Sequence, residues 1–161
     1  MQQHSVQLDT ITPQRGPQHR ELASFAGRWK MAGENSPTAP GQASLKVTGI
    51  ETYEWLPGEY FLVNKWTRKM GASEDVFSGI GWIGFDPKLE GYVAHSASNL
   101  GFQRVYEVEV AKDQLIFNGE SERATIVLND DHTEIIVRWE RREDGGSWKP
   151  LCHLEGIRLN S

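Results

Sequence analysis

The chain is poor in the features that would assign it a chemistry quickly. It has one cysteine, Cys152, among 161 residues, so no intrachain disulfide can form and no framework of bridges defines the fold. No window approaches the ~20 consecutive apolar residues of a membrane-spanning helix. There is no surplus of basic charge: the formal net charge is −5, which disfavours a polyphosphate backbone as partner. The longest basic cluster, Lys65-Trp66-Thr67-Arg68-Lys69, alternates with other residues like an exposed strand face. No nucleophile elbow of the Gly-x-Ser-x-Gly kind occurs, and no phosphate-binding loop. No His, Cys, Asp or Glu cluster has the spacing of a structural zinc site. These absences argue against nucleic acid, membrane and metal as partners.

What is present is the composition of one globular domain, with 38% hydrophobic and 24% charged residues. Residues 1–17 are rich in Gln, Thr and Pro with no signal-peptide core, and read as a disordered tail in front of a domain over 18–161. A cytoplasmic location fits that tail and the single thiol. Leu22 and Phe25, three apart within 18–25, suit one short amphipathic helix that Gly27 ends.

Beyond Arg28 the helical signal stops. Short runs with alternating apolar and polar residues follow one another, punctuated by Gly, Pro, Asp and Asn. They begin at 28–33, 44–55, 60–69 and 77–85, and continue at 92–98, 102–110, 115–118, 123–128, 134–142 and 148–159. About ten strands at a spacing near 8–12 residues indicate an all-β sandwich or barrel. No crossover helix separates them, so a parallel sheet is excluded and an antiparallel up-and-down meander is expected. A sheet of that extent leaves exposed edges unless it closes. In the Gly-rich stretch Gly79-Ile80-Gly81-Trp82-Ile83-Gly84, glycines at alternate positions allow tight curvature or the close packing of another segment. The expected architecture is a closed barrel.

The run Leu22-x-x-Phe25-x-Gly27-x-Trp29 is similar to the opening of lipocalin-like (calycin-type) barrels. There a short helix shuts one end, and the tryptophan plugs the floor under a basic residue of the last strand. That resemblance implies structural roles for Gly27 and Trp29, with Arg158 as the cover. Further landmarks follow in order: Trp55-Leu56-Pro57-Gly58-Glu59-Tyr60-Phe61, Gly81-Trp82-Ile83-Gly84-Phe85-Asp86, and Asp144-Gly145-Gly146-Ser147-Trp148. Over 18–159 the chain resembles a widespread bacterial family of lipocalin-like proteins of unknown function. The resemblance implies the fold and lends no activity.

Strand alternation places Glu51 on the inner face with Leu45, Val47, Tyr53 and Trp55, and Arg104 inward with Phe102, Tyr106 and Val108. A buried carboxylate needs a partner, so Glu51 and Arg104 are expected to pair, either as polar anchors for a ligand or as a structural ion pair. Trp55, Trp66 and Tyr106, with Trp82 and Trp139, are candidate walls for an apolar ligand or ordinary core. His153, late in the chain, is similarly placed to the iron ligand of nitrobindin-type haem barrels, which also open with Gly-x-Trp. That resemblance implies haem as an alternative cofactor. Lys30-Met31-Ala32-Gly33 meets that family's further glycine pattern only in part. His132 falls in the turn 129–132 and is expected to face solvent. His95 and Ser96 are adjacent on a strand and point to opposite faces, so they do not form a nucleophile and base.

Four functional readings follow. The first is a barrel holding a small apolar molecule. The others are a haem barrel using His153, a cavity isomerase or cyclase with Glu51 as acid or base, and a ligand-free homodimeric scaffold.

Overall fold

The computed structural model describes residues 13–160. Ten antiparallel strands close into one barrel in the order β1-β10-β9-β8-β7-β6-β5-β4-β3-β2, so every strand pairs with its sequence neighbours and β1 with β10 completes the ring. The strands are β1 Gly27–Asn35, β2 Leu45–Trp55, β3 Phe61–Met70, β4 Phe77–Asp86 and β5 Gly91–Ser98, then β6 Gln103–Ala111, β7 Gln114–Asn118, β8 Glu122–Leu128, β9 Glu134–Arg141 and β10 Lys149–Leu159. A four-residue helix α1, Pro17–Arg20, and a 3-10 turn, Ala23–Phe25, precede them. Among the described residues no helix is long and apolar enough to cross a membrane.

The helical segment is thus split, because four residues followed by a 3-10 turn suffice to lay Leu22 and Phe25 across one barrel end, both fully buried. Residues 13–17, the described end of the stretch read as a tail, lie against the barrel. The Tyr60 hydroxyl donates to the Pro13 carbonyl at 2.7 Å, Arg15 pairs with Glu59 at 3.0 Å, and Pro17 already starts α1. Residues 1–12 lie outside the described part.

The two ends of the barrel differ in chemistry. The closed end is a solid apolar core in which Trp29, Leu62, Leu115, Ile135 and Leu154 are about 0–1% exposed. Arg158 sits over the Trp29 ring, its guanidinium carbon 4.2 Å from the centroid. Its three nitrogens donate to the carbonyls of His132 (2.6 Å), Ala26 (2.6 Å) and Ser24 (2.8 Å). Gly27 has φ +147°, and the Arg158 Nη1 fills the place a Cβ would need. No other residue type fits there. One arginine therefore stitches the last strand, the β8–β9 turn and the N-terminal cap together. His132 is half-buried rather than solvent-facing, because its ring bonds Asp113 at 2.8 Å across neighbouring turns.

His19 belongs to this cap. It is 4% exposed, packs edge-on against Tyr60 at 5.1 Å, and its Nδ1 accepts the Gly16 amide proton at 2.9 Å. Burial, then the charges of Arg15 and Arg20, hold its pKa below 6.5. The unfolded chain consequently binds the proton more readily, and the stability His19 contributes is present above pH 6.5 and lost as pH falls through its lowered folded value. Between pH 7 and 5 the wild type should lose stability more steeply than His19→Gln, read from urea midpoints at each pH. Equal slopes would show that His19 does not govern the cap.

Candidate functional site

The open half of the barrel is not filled. It holds a cavity of about 340 Å³, at the low end of the range typical of small-molecule sites, roughly 300–1,000 Å³. Its walls combine aromatic rings with charged groups from the open-end halves of the strands. A larger concavity of about 920 Å³ lies between segments 36–42 and 141–150 and is lined mostly by loop residues. It gathers no buried polar group.

Glu51 is the organising residue of the inner cavity. It faces inward on β2 and is 5% exposed. The Tyr53 hydroxyl (2.9 Å) and the Asn64 side-chain amide (3.2 Å) both donate to its Oε1. Its Oε2 has no hydrogen-bond partner among the described residues and lies 3.7 Å from Nη2 of Arg68. Burial, reinforced by the adjacent Glu51 charge and hydrogen bond, pushes the Tyr53 phenol well above 10, so it stays a donor. The Arg68 guanidinium lies over the Trp66 ring at 4.7 Å, and its Nε is also without a partner.

The expected Glu51–Arg104 pair does not form. Arg104 lies 3.8 Å from Glu122 instead, and Tyr106 donates to the same Glu122 oxygen at 3.2 Å. Register explains this. Glu51 pairs with Trp66 on β3, and Arg68 is the next inward position on that strand. Arg104 pairs with Ser96 on β5, several strands away around the ring. Both ion pairs nevertheless face the same cavity. Burial and the Glu122 charge raise the Tyr106 phenol far above 10 as well.

The aromatic candidates divide. Trp66 lines the cavity, its ring lying across Gly79, where an added Cβ would stand 2.5 Å from ring atoms. The alternate glycine thus admits an indole. Tyr106, Phe117 and Trp139 form a second wall with centroids 5.7–6.1 Å apart. Trp82 borders the cavity, but it is 43% exposed and stacks on His95 at 4.8 Å. Trp55 does not belong to the lining and packs against the core. It shares a face with Glu51, but four residues of strand span about 13 Å, which carries it to the closed end. Phe102, read as inward, precedes β6 and is 54% exposed at the rim, under the Arg104 guanidinium at 4.8 Å.

His153 points away from the barrel. It is exposed, accepts from Arg138 Nε at 3.4 Å and lies 3.5 Å from Glu155, whereas its neighbour Cys152 faces the cavity. Its imidazole cannot reach an iron held inside, so the haem arrangement does not fit these residues. Burial raises the Cys152 thiol above its usual pKa, which keeps it protonated and weakly nucleophilic.

The sequence reading missed Arg68, Asn64 and Glu122. The signal existed: Asn64 and Arg68 flank inward Trp66 at two-residue spacing, and Glu122 is in phase with Ala124, Ile126 and Leu128. The basic look of the run 65–69 concealed it, since only Lys65 and Lys69 are exposed cations there.

Solved structures share this fold. The chain is similar to Rv2717c from M. tuberculosis, at TM-score 0.67 and 14% identity, over 91% of this chain and 100% of that one. It is also similar to the S-type phycobiliprotein lyase CPES from Guillardia theta, at TM-score 0.63 and 10% identity, over 91% and 99%. At such identities the likeness concerns the fold. No curated protein matches the chain. The family described as "Protein of unknown function (DUF1579)" matches residues 14–153, and with nearly the whole barrel covered, this chain belongs to that family.

Proposed function

We propose that the protein binds a small, largely apolar molecule in the open half of its barrel, with Trp66, Tyr106 and Trp139 as walls and Glu51, Arg68 and Arg104 as polar anchors. One observation carries this reading. The open half of the barrel leaves a cavity lined by aromatic rings and two ion pairs, Glu51–Arg68 and Arg104–Glu122, whose buried atoms Glu51 Oε2, Arg68 Nε and Arg104 Nε have no hydrogen-bond partner among the described residues, in a protein whose closed end is packed solid. Charged groups kept in a cavity wall without a full set of hydrogen bonds cost stability, which favours a binding role over a purely structural one. A scaffold with a merely structural core would gain by replacing these groups with apolar ones.

The test is native mass spectrometry, with a visible spectrum, on protein purified without added ligand, followed by thermal denaturation against a panel of hydrophobic metabolites. The expected result is a co-purified mass of a few hundred daltons or a ligand-dependent rise in Tm. A ligand at a hundred times its Kd stabilises the native state by about 2.7 kcal/mol, or about 5–10 °C for a domain of this size. Ser96→Phe, which projects a ring from β5 into the cavity, should abolish the shift. Clean apo mass and no shift with any compound would overturn the reading.

A further inference from the structure

We infer that the outer face of β3–β6 is a self-complementary surface on which two copies of this chain form a two-fold symmetric dimer. The inference is independent of the cavity-binding reading, since it concerns side chains that point away from the barrel interior.

Strand alternation defines the face. Leu62, Ile83, Ala94 and Tyr106 belong to the buried core, so their strand neighbours point outward. Register lines these up in rows across the four strands. The central row is Val63–Trp82–His95–Val105, in which Trp82 stacks on His95 at 4.8 Å. The row on the open side is Lys65–Ile80–Ala97–Gln103, and the row on the closed side is Phe61–Gly84–Val93–Glu107. Phe61, Ile80, Trp82 and Val105 are exposed apolar side chains. The positions that β4 and β5 supply to these rows carry no formal charge, whereas the exposed positions of β1, β9 and β10 include Arg28, Lys30, Glu34, Arg138 and Glu155. A contiguous apolar face rimmed by polar residues marks a contact surface.

The two charges in these rows say what covers the face. Strands lie about 4.8 Å apart and every second residue of a strand about 6.8 Å on, so the rows outline a near-square about 14 Å on a side. Lys65 and Glu107 hold one pair of opposite corners, Phe61 and Gln103 the other. When a face packs on its own copy, the two-fold axis lies in the plane of contact, and each position meets the one reflected across that axis. With the axis on the Phe61–Gln103 diagonal, Lys65 of one protomer meets Glu107 of the partner subunit, and symmetry repeats the pair. Ile80 then falls beside Val105 of the partner subunit and Val63 beside Val93 of the partner subunit. The two Trp82–His95 stacks meet on the axis as aromatic anchors. Strands of the two copies cross at about 90°, one of the two packings that sheets adopt. Axes along or across the strands would leave both charges unmatched, and the other diagonal would set each against its like. The barrel wall curves away at the corners, where the long side chains of Lys65 and Glu107 have the reach to bridge the gap. The face is small beside the roughly 800 Å² that each partner gives a standard interface, so the dimer forms at micromolar concentration.

Sedimentation velocity on the full-length protein, from low to high micromolar concentration, tests this. Wild type should pass from monomer to dimer across that range. Lys65→Glu and Glu107→Lys should each weaken the dimer roughly tenfold or more, because like charges then meet at both symmetric contacts. An equimolar mixture of these two variants should dimerise as wild type does, since both contacts of the mixed dimer again join opposite charges. Val105→Glu, at an exposed position outside the cavity lining, should remain monomeric throughout. Circular dichroism checks that each variant keeps its β fold, which these surface positions do not threaten. A wild type that stays monomeric at every concentration would overturn the inference and leave the face to a different protein. A dimer that survives Val105→Glu, or that ignores the charge exchanges, would overturn it too, as would single variants that mixing fails to rescue.

Discussion

Trp29→Ala should cost the barrel about 3–5 kcal/mol of stability, the range for removing a large buried ring. The effect belongs at the top of that range because the loss is compound. Trp29 is 0% exposed and its indole N–H donates to the Phe25 carbonyl at 3.3 Å. Its ring is also the platform on which Arg158 lies. Without it Arg158 keeps its carbonyl bonds to Ser24, Ala26 and His132 but loses the surface that orients it, so the cap over Leu22 and Phe25 loosens as well. Urea denaturation should show a lower midpoint at unchanged slope. Trp29→Phe, which retains an aromatic platform, should recover much of the loss. A cost below about 1 kcal/mol for the alanine variant would mean that the closed end is not plugged by this residue.

Arg68→Met should destabilise the free protein by about 3 kcal/mol, while the double variant Arg68→Met/Glu51→Leu should return close to wild-type stability. Removing one member of a buried pair strands the other charge, at a cost of about 3–5 kcal/mol, whereas replacing both by apolar groups of similar size is often neutral or stabilising. Arg68 and Glu51 meet the conditions, with side chains 15% and 6% exposed and 3.7 Å between their charged atoms. The opening of the cavity lets some water reach Arg68 and sets the figure at the low end. The double variant should have lost ligand binding altogether, which separates its stability from its function. If the single and double variants were equally destabilised, packing around Tyr53 and Asn64 rather than charge pairing would be what Arg68 serves.

Much of the barrel was legible in the residue order because its signals are local. A strand announces itself by alternation, and a turn by residues that tolerate tight backbone. Observed and expected strand limits accordingly differ by a residue or two, as at β4, expected over 77–85 and found as Phe77–Asp86. Inward-facing Glu51 followed from alternation with Val47 and Tyr53 alone. Its partner did not, since pairing depends on which strand lies beside β2 and at what register. Both Arg68 and Arg104 occupy inward phases, and nothing local distinguishes the one that is adjacent from the one several strands away. Height along the axis was equally hidden. Trp55 and Glu51 share a face, and only the position of the cap shows that one lies in the packed half and the other in the cavity.

His153 and Cys152 show the same division. Adjacent strand residues must face opposite ways, so one of them had to point inward, but the alternation of β10 is equally apolar on both phases around them. In the structure β10 shifts register against β9 between Pro150 and Cys152, and His153 lies opposite Arg138 on the outer face. By itself, then, the sequence determined an all-antiparallel barrel with a short N-terminal cap and a carboxylate facing in, because side-chain period and turn chemistry act within a few residues. Only the tertiary structure decided that Glu51 meets Arg68, that Arg104 meets Glu122, that His153 is turned to solvent and that half of the interior stays open. Those facts depend on register, on height within the barrel and on closure of β1 against β10, which are relations between residues far apart in the chain.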